Sequence, residues 1–166
     1  MKRIAENARF LVWILTAAAV LAGCQLFSRG VGRTVEPERR LPLHEGGPHT
    51  GAWVGRDMVL SYEYVRQGDG MTVNGTVDFR GSINNFPIML SFYLDAYYLN
   101  ADGQVIAVGR IYTAPMGRET GTWRFTRNLT IPPDAVGWAV GYSGSAKDYG
   151  YPGDAADWTF WDTPFK

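Results

Sequence analysis

Apolar and polar residues alternate along most of the chain after Trp53, and turns rich in Gly, Pro and Asp separate the alternating runs. The clearest run is Ile88–Leu99, in which every second residue from Ile88 to Tyr98 is apolar. Residues two apart share one face of a strand, so this pattern predicts a strand that buries one face. The same reasoning predicts seven strands, over residues 57–66, 71–79, 88–99, 104–112, 122–131, 135–143 and 158–161.

The spacing of these runs indicates the fold class. No stretch after residue 50 has a helical period, and the runs are short and separated by turns. Seven short strands in a row favour an all-β domain, an antiparallel β-sandwich of immunoglobulin-like type, over residues 51–166. A closed β-barrel is the main alternative.

The first residues of the chain have the pattern of an export signal. Lys2, Arg3 and Arg9 precede an uncharged run over residues 10–23. A positive start followed by a short apolar run is typical of a signal peptide, and this run is too short for a comfortable membrane span. It ends in Leu21-Ala22-Gly23-Cys24, which resembles the bacterial lipobox, whose cysteine is acylated before the preceding bond is cut.

The lipobox resemblance implies a lipoprotein with a signal peptide over residues 1–23 and a lipid on Cys24. Several acyl chains hold a protein stably at a membrane, so we expect a bacterial cell-envelope protein. Gln25, where an Asp favours inner-membrane retention in enterobacteria, favours the outer membrane facing the periplasm. The alternative is a plain signal peptide or an N-terminal anchor helix with an incidental cysteine.

Residues 24–50 mix Gly, Pro and charged residues without a period, which predicts a flexible tether between the lipid and the domain. Both histidines of the chain, His44 and His49, lie in this segment near Glu45. Two histidines without further ligands do not make a metal set, so we expect neither a metal nor a cofactor.

A second resemblance concerns the domain. Between Val73 and Tyr142 the chain runs strand, loop, strand, Asp-Gly hairpin, strand and a Pro-Pro break. This order is similar to that of small immunoglobulin-like domains of bacterial surface lipoproteins, including those called FxLYD domains, and Phe92-Tyr93-Leu94-Asp95 matches the named stretch in part. The resemblance implies a fold and carries no activity.

Charge and composition narrow the function classes. The chain has 16 basic and 16 acidic side chains, and removal of the signal peptide takes three basic and one acidic, which leaves about −2. Nucleic-acid binding needs a clustered basic face, so we expect no nucleic-acid partner.

No catalytic arrangement is recognisable in the sequence. The only cysteine is in the lipobox, and Gly141-Tyr142-Ser143-Gly144-Ser145 lacks the spacing of a nucleophile elbow. Asp95 is expected to be a solvated strand residue, and the late Asp residues lie in a turn-rich loop. We therefore predict that the protein is not an enzyme.

Aromatic residues supply the candidate binding surface. Tyr93 and Tyr97 are predicted to lie on the outer face of strand 88–99, and the C-terminal stretch is dense in rings. Aromatic side chains stack on sugars and anchor protein interfaces. The candidate residues are Tyr93, Tyr97, Tyr149, Tyr151, Trp158 and Trp161.

Three functions remain open at this point. The leading hypothesis is a non-catalytic accessory lipoprotein whose sandwich binds a protein partner in the envelope. The alternative is a glycan-binding module that uses the C-terminal aromatic and acidic residues, and an enzyme of unrecognised type comes last. A structural interpretation competes with both binding hypotheses, because Trp158, Phe160 and Trp161 could instead close the sandwich as a final strand.

Overall fold

A computed structural model describes residues 30–148 and 157–165, and these form an all-β sandwich of two antiparallel sheets. The all-β prediction is therefore confirmed. The strands are β1 (Leu41–Pro42), β2 (Gly46–Val54), β3 (Met58–Gln67), β4 (Gly70–Phe79), β5 (Ile88–Leu99), β6 (Val105–Thr113), β7 (Arg118–Glu119), β8 (Thr122–Thr130), β9 (Gly137–Lys147) and β10 (Asp157–Asp162). The seven predicted strands correspond to β3, β4, β5, β6, β8, β9 and β10.

The two sheets have the connectivity of an immunoglobulin-like sandwich. One sheet has the order β2-β3-β4-β8. In the other, β9 lies between β5 and β10, β1 pairs with the start of β9, and β5 pairs with β6 and with β7. The chain crosses between the sheets four times, from β1 to β2, from β4 to β5, from β7 to β8 and from β8 to β9, which is a Greek-key arrangement. Short 3₁₀ turns lie at Pro37–Arg39 and Gly81–Asn85.

Aromatic rings from both sheets fill the centre of the sandwich. Phe92 on β5 lies edge-on to Trp123 on β8 and to Phe79 on β4, with ring centroids 5.5 and 5.2 Å apart. Phe160 on β10 stacks on Phe92 at 6.3 Å and is fully buried. Burial of large rings from four strands explains why this aromatic-rich sequence packs without helices.

Several glycines lie opposite a ring on the neighbouring strand. Gly51 pairs with Tyr62, Gly75 with Phe125 and Gly144 with Phe160. A Cβ atom on Gly51 would come within 2.5 Å of the Tyr62 hydroxyl oxygen. The absence of a side chain on one strand therefore makes room for a ring from the next, which links the high glycine and aromatic contents of the sequence.

The domain begins earlier in the chain than the sequence indicates. Residues 30–50, predicted to be tether, lie in the fold: Thr34 bridges Gln104, β1 pairs with β9, and β2 pairs with β3. The alternation is hidden in β2 because Gly51 occupies a position covered by the Tyr62 ring, where an apolar side chain would otherwise reveal the strand. His49 lies on β2, and its ring is 5.0 Å from that of Tyr64.

None of the helical turns within the two described ranges has the length and apolar character that a membrane crossing requires.

Candidate functional site

The outer face of the β10-β9-β5-β6 sheet carries one row of exposed rings. Trp161 pairs with Ser143, Ser143 with Tyr93, and Tyr93 with Thr113, so these four residues cross four strands on one face. We call them the aromatic row. Trp161 is 58% exposed and Tyr93 is 38% exposed. Their backbones lie two strands apart, about 10 Å, with the small Ser143 between them.

The orientation of this row follows from strict alternation. Phe160, Phe92 and Leu94 have no exposed surface and point into the core, so the residues between or beside them point outward. Trp161 is further held at the sheet edge because its carbonyl oxygen accepts a hydrogen bond from Arg56 Nη2 at 3.1 Å. The buried side chains of the neighbouring residues and the Arg56 hydrogen bond together fix the positions of the Trp161 and Tyr93 rings.

A row of hydroxyl groups lies beside the aromatic row. Thr159 pairs with Ser145, and Ser145 pairs with Ser91, on the same outer face. We call these three residues the hydroxyl row. The Oγ atoms of Ser91 and Ser145 are 2.9 Å apart and hydrogen-bonded. These side chains are small, and Thr159 is exposed beside the rings.

Arg110 completes the site on the β6 side. Its guanidinium carbon lies 4.5 Å from the centre of the Tyr93 ring, a cation–π contact. Its Nε donates a hydrogen bond to Asp95 Oδ1. Burial raises the pKa of Asp95, and the hydrogen bond and charge of Arg110 oppose that rise. The prediction that Asp95 is a freely solvated residue is wrong, because it is half-buried and held by Arg110.

Tyr97 does not belong to the exposed surface. It lies on the predicted outer face, but it is only 6% exposed because both ends of the described chain fold over it. Phe165 lies edge-on to its ring at 5.5 Å, and Gly30 lies against the same two rings. The alternation gives the correct face, but it carries no information on which segment covers that face.

We call residues 30–36 and 163–165 the terminal cover. Arg33 stacks on Phe165 at 4.0 Å, and the Glu36 amide donates to the Pro164 carbonyl at 3.1 Å. A second apolar cluster lies beneath the cover, and it comprises Val35, Tyr97, Leu99, Val105 and Ala139, with Val108 and Phe165 packed against it. The cover divides the outer face into a closed half and the open half that carries the two rows.

The C-terminal aromatic residues have different roles. Phe160 is buried, and Trp158 is half-buried against Phe86 at 5.6 Å, on the core-facing side of β10 and away from the aromatic row. Trp161 is exposed, as the binding hypothesis requires. Tyr149 and Tyr151 lie outside the described residues, as do Cys24 and the signal segment. β10 thus closes the sandwich with one face and presents Trp161 on the other.

The described residues were also compared with the requirements of a metal site. Within residues 30–148 and 157–165, no three His, Cys, Asp or Glu side chains come together in a way that could hold a metal ion. Both histidines lie beside Tyr64 on the other sheet, with ring centroids 5.4 Å apart. The groups that the site brings together are two rings, the Arg110 guanidinium with its Asp95 carboxylate, and several hydroxyl groups.

Comparison with known proteins does not extend this description. No protein-family model matches the chain. Searches of curated proteins and of solved structures also give no match.

Proposed function

We propose that this chain is a non-catalytic accessory lipoprotein of the bacterial envelope, anchored through Cys24, whose sandwich binds a protein partner through the aromatic row. The observation that carries the proposal is the convergence of Trp161, Tyr93 and Arg110 on one open half-face. Trp, Tyr and Arg are the residue types that most often dominate the binding energy of protein interfaces.

The surroundings of the row support a protein interface. The positive charge of Arg110 is paired with the negative charge of Asp95. On the far side of the hydroxyl row, Asp157 lies opposite Lys147, so the described part of the face has little net charge. Aromatic residues and Arg at a core that is depleted in other charged residues, with a polar rim around it, are typical of protein interfaces. The rigid sheet beneath the rings also reduces the entropy lost on binding.

The test is affinity capture from solubilised envelopes with the full-length protein as bait. We expect Trp161→Ala and Tyr93→Ala each to reduce recovery of a specific partner at least tenfold, which is the loss expected for an interface anchor. Val136→Ala is the matched control, because Val136 is also 58% exposed and lies just before β9, outside the aromatic row. Equal recovery with all three variants would contradict the proposal.

A glycan ligand is the second candidate, and the hydroxyl row favours it. Ser91, Ser145 and Thr159 form a polar strip beside two rings, and sugars combine an apolar face with several hydroxyl groups. The test is binding of the protein to isolated envelope polysaccharide. Binding that is lost in Trp161→Ala and kept in Val136→Ala would support a glycan ligand. No retention by any polysaccharide fraction would remove it.

A further inference from the structure

Strand β8 forms an open edge of the β2-β3-β4-β8 sheet. It pairs with β4 from Thr122, opposite Asp78, to Thr130, opposite Gly70, without a register shift. Within the described ranges, no backbone hydrogen bond from a turn or loop reaches residues 122–130. An edge of this kind presents a row of free amide and carbonyl groups to which another strand can add.

The register shows which backbone groups of β8 face outward. The Ile131 amide donates to the Asp69 carbonyl at 2.7 Å, one step beyond the last pair of the ladder between β4 and β8. Hydrogen-bonded and non-hydrogen-bonded pairs alternate in an antiparallel ladder, so the odd-numbered residues of β8 bond to β4 and the even-numbered residues do not. The residues whose amides and carbonyls point away from the sheet are therefore Thr122, Arg124, Thr126, Asn128 and Thr130.

Two other edges of the fold have features that discourage strand addition. β2 contains Pro48 within a shift of its register against β3. The start of β6 is already occupied, because the Gly32 amide donates to the Val105 carbonyl and the Val105 amide donates to the Arg33 carbonyl. Proline, bulges and covering segments are common protections of an edge strand. Among the described residues, β8 has no proline, no bulge and no backbone-bonded cover.

Two arginines on β8 determine the chemistry of a strand that fits this edge. Arg124 and Arg127 are both exposed, and neither takes part in an ion pair among the described residues. Successive side chains lie on opposite faces of a strand, so Arg124 lies on the outer face of the sheet and Arg127 lies on the face of the half-buried Phe125. Opposite charges directly across a ladder stabilise it. A matching strand therefore has two acidic residues three positions apart, one opposite each arginine.

We propose that β8 is the docking edge for an extended acidic segment of another protein, which adds to the sheet as a further strand. In this mode of recognition, backbone hydrogen bonds supply affinity and alternate side chains supply specificity. The segment carries its two acids opposite Arg124 and Arg127 and an apolar residue opposite Phe125. A second copy of β8 fits less well, because it would bring two more arginines to the same edge. The aromatic row lies on the other sheet, so occupancy of this edge does not depend on the proposed function.

The first experiment measures binding of the fluorescent peptide Thr-Leu-Thr-Glu-Thr-Val-Glu-Thr to the purified full-length protein by anisotropy at low salt. This peptide places Glu opposite both arginines in an antiparallel register. The matched control peptide has Gln in place of both Glu, and we expect it to bind about tenfold more weakly. The double variant Arg124→Glu and Arg127→Glu should instead prefer a peptide with Lys at those two places. Equal affinities for the three peptides, or no binding at millimolar concentration, would overturn the proposal.

A backbone variant tests the strand addition itself. Thr126→Pro removes one outward amide, and proline is tolerated on an edge strand where its nitrogen faces solvent. Thr126→Val is the matched control, because it keeps the amide and removes the same hydroxyl. We expect Thr126→Pro to weaken peptide binding at least tenfold and Thr126→Val to leave it within about twofold.

Unchanged binding in a folded Thr126→Pro variant would exclude strand addition. If circular dichroism shows that this variant does not fold, the charge reversal and its Lys peptide decide the outcome. Sedimentation of the unmodified protein as a dimer that Thr126→Pro abolishes would assign the edge to a second copy of the chain, and would likewise overturn the proposal.

Discussion

The Tyr142 hydroxyl donates a hydrogen bond to Asp57 Oδ2 at 2.8 Å and accepts one from the Asp57 amide at 3.1 Å. This pair joins β9 to the turn between β2 and β3, and therefore joins the two sheets. Asp57 is 4% exposed, a rare burial for an acidic residue. The Tyr142 hydroxyl and Arg56 Nε, at 3.3 Å, both donate to the same carboxylate oxygen, Asp57 Oδ2.

Tyr142→Phe is expected to destabilise the domain by about 1–3 kcal/mol, because it removes one of the donors to Asp57 Oδ2 and leaves the buried Asp57 amide without its acceptor. Urea unfolding of the purified domain measures the change. Tyr93→Phe is the control, because that ring is exposed, and it should change the free energy of unfolding by less than about 0.5 kcal/mol. Equal stability of the Tyr142→Phe variant and the unmodified domain would show that the pair does not hold the sheets together.

Tyr98→Phe should have the opposite effect. The Tyr98 hydroxyl is buried without a hydrogen-bond partner among the described residues. Its removal relieves an unsatisfied polar group, so the variant should be as stable as the unmodified domain or more stable. A loss of more than 1 kcal/mol in the same urea assay, a typical hydrogen-bond contribution, would mean that the hydroxyl is bonded in solution.

The buried phenols also predict weakening at alkaline pH. Burial raises the pKa of Tyr98 to about 12, and burial likewise raises the pKa of Tyr142. A raised folded pKa means that the contribution to stability is complete below the unfolded pKa, near 10, and is lost as pH rises toward the folded value. The free energy of unfolding should therefore fall between pH 10 and 12, with a shallower slope in Tyr98→Phe.

The glycine–ring pairs predict a position-dependent effect of a single methyl group. A Cβ atom at residue 144 would lie 2.5 Å from Phe160 Cζ and 2.6 Å from the Ser91 carbonyl oxygen. Gly144→Ala should therefore cost about 1–3 kcal/mol through overpacking. Gly70→Ala is the matched control, because its nearest contact would be an ordinary 3.5 Å, and a comparable loss in that variant would exclude the steric explanation.

The strands that the sequence predicts are those in which side chains carry the pattern. Phe92 and Leu94 on β5 alternate with outward residues, so both the strand and its faces can be derived. β2 could not be derived, because Gly51 leaves the pattern blank where the Tyr62 ring fills the space. A glycine in the sequence does not reveal that a ring from the neighbouring strand packs over it.

The candidate site was predictable only in part for a related reason. Alternation around the buried Phe160 places Trp161 outward and Trp158 inward, so these two outcomes were within reach of the sequence. The burial of Tyr97 was not, because it depends on Gly30 and Phe165, which come from opposite ends of the chain. When a segment distant in the sequence covers a sheet face, the alternation pattern of the covered strand does not show it.

The terminal cover provides a prediction of its own. Phe165→Ala removes the ring that packs on Tyr97 and beneath Arg33. The amides of Gly32, Val35 and Val105, which bond between the cover and residues 103–105, should then exchange with solvent at least tenfold faster, while the amides of β3 and β4 keep their protection. Uniform acceleration across all strands would indicate global destabilisation and would contradict a local role.

The most direct test of the central claim is photocrosslinking in intact envelopes, with the reactive amino acid placed at residue 161 in one variant and at residue 136 in another. The two positions are equally exposed, and they differ in whether they lie in the aromatic row. The account predicts a discrete protein adduct at 161 that is absent at 136. Identical adduct patterns at both positions, or none at 161, would contradict the assignment of this row as the binding surface.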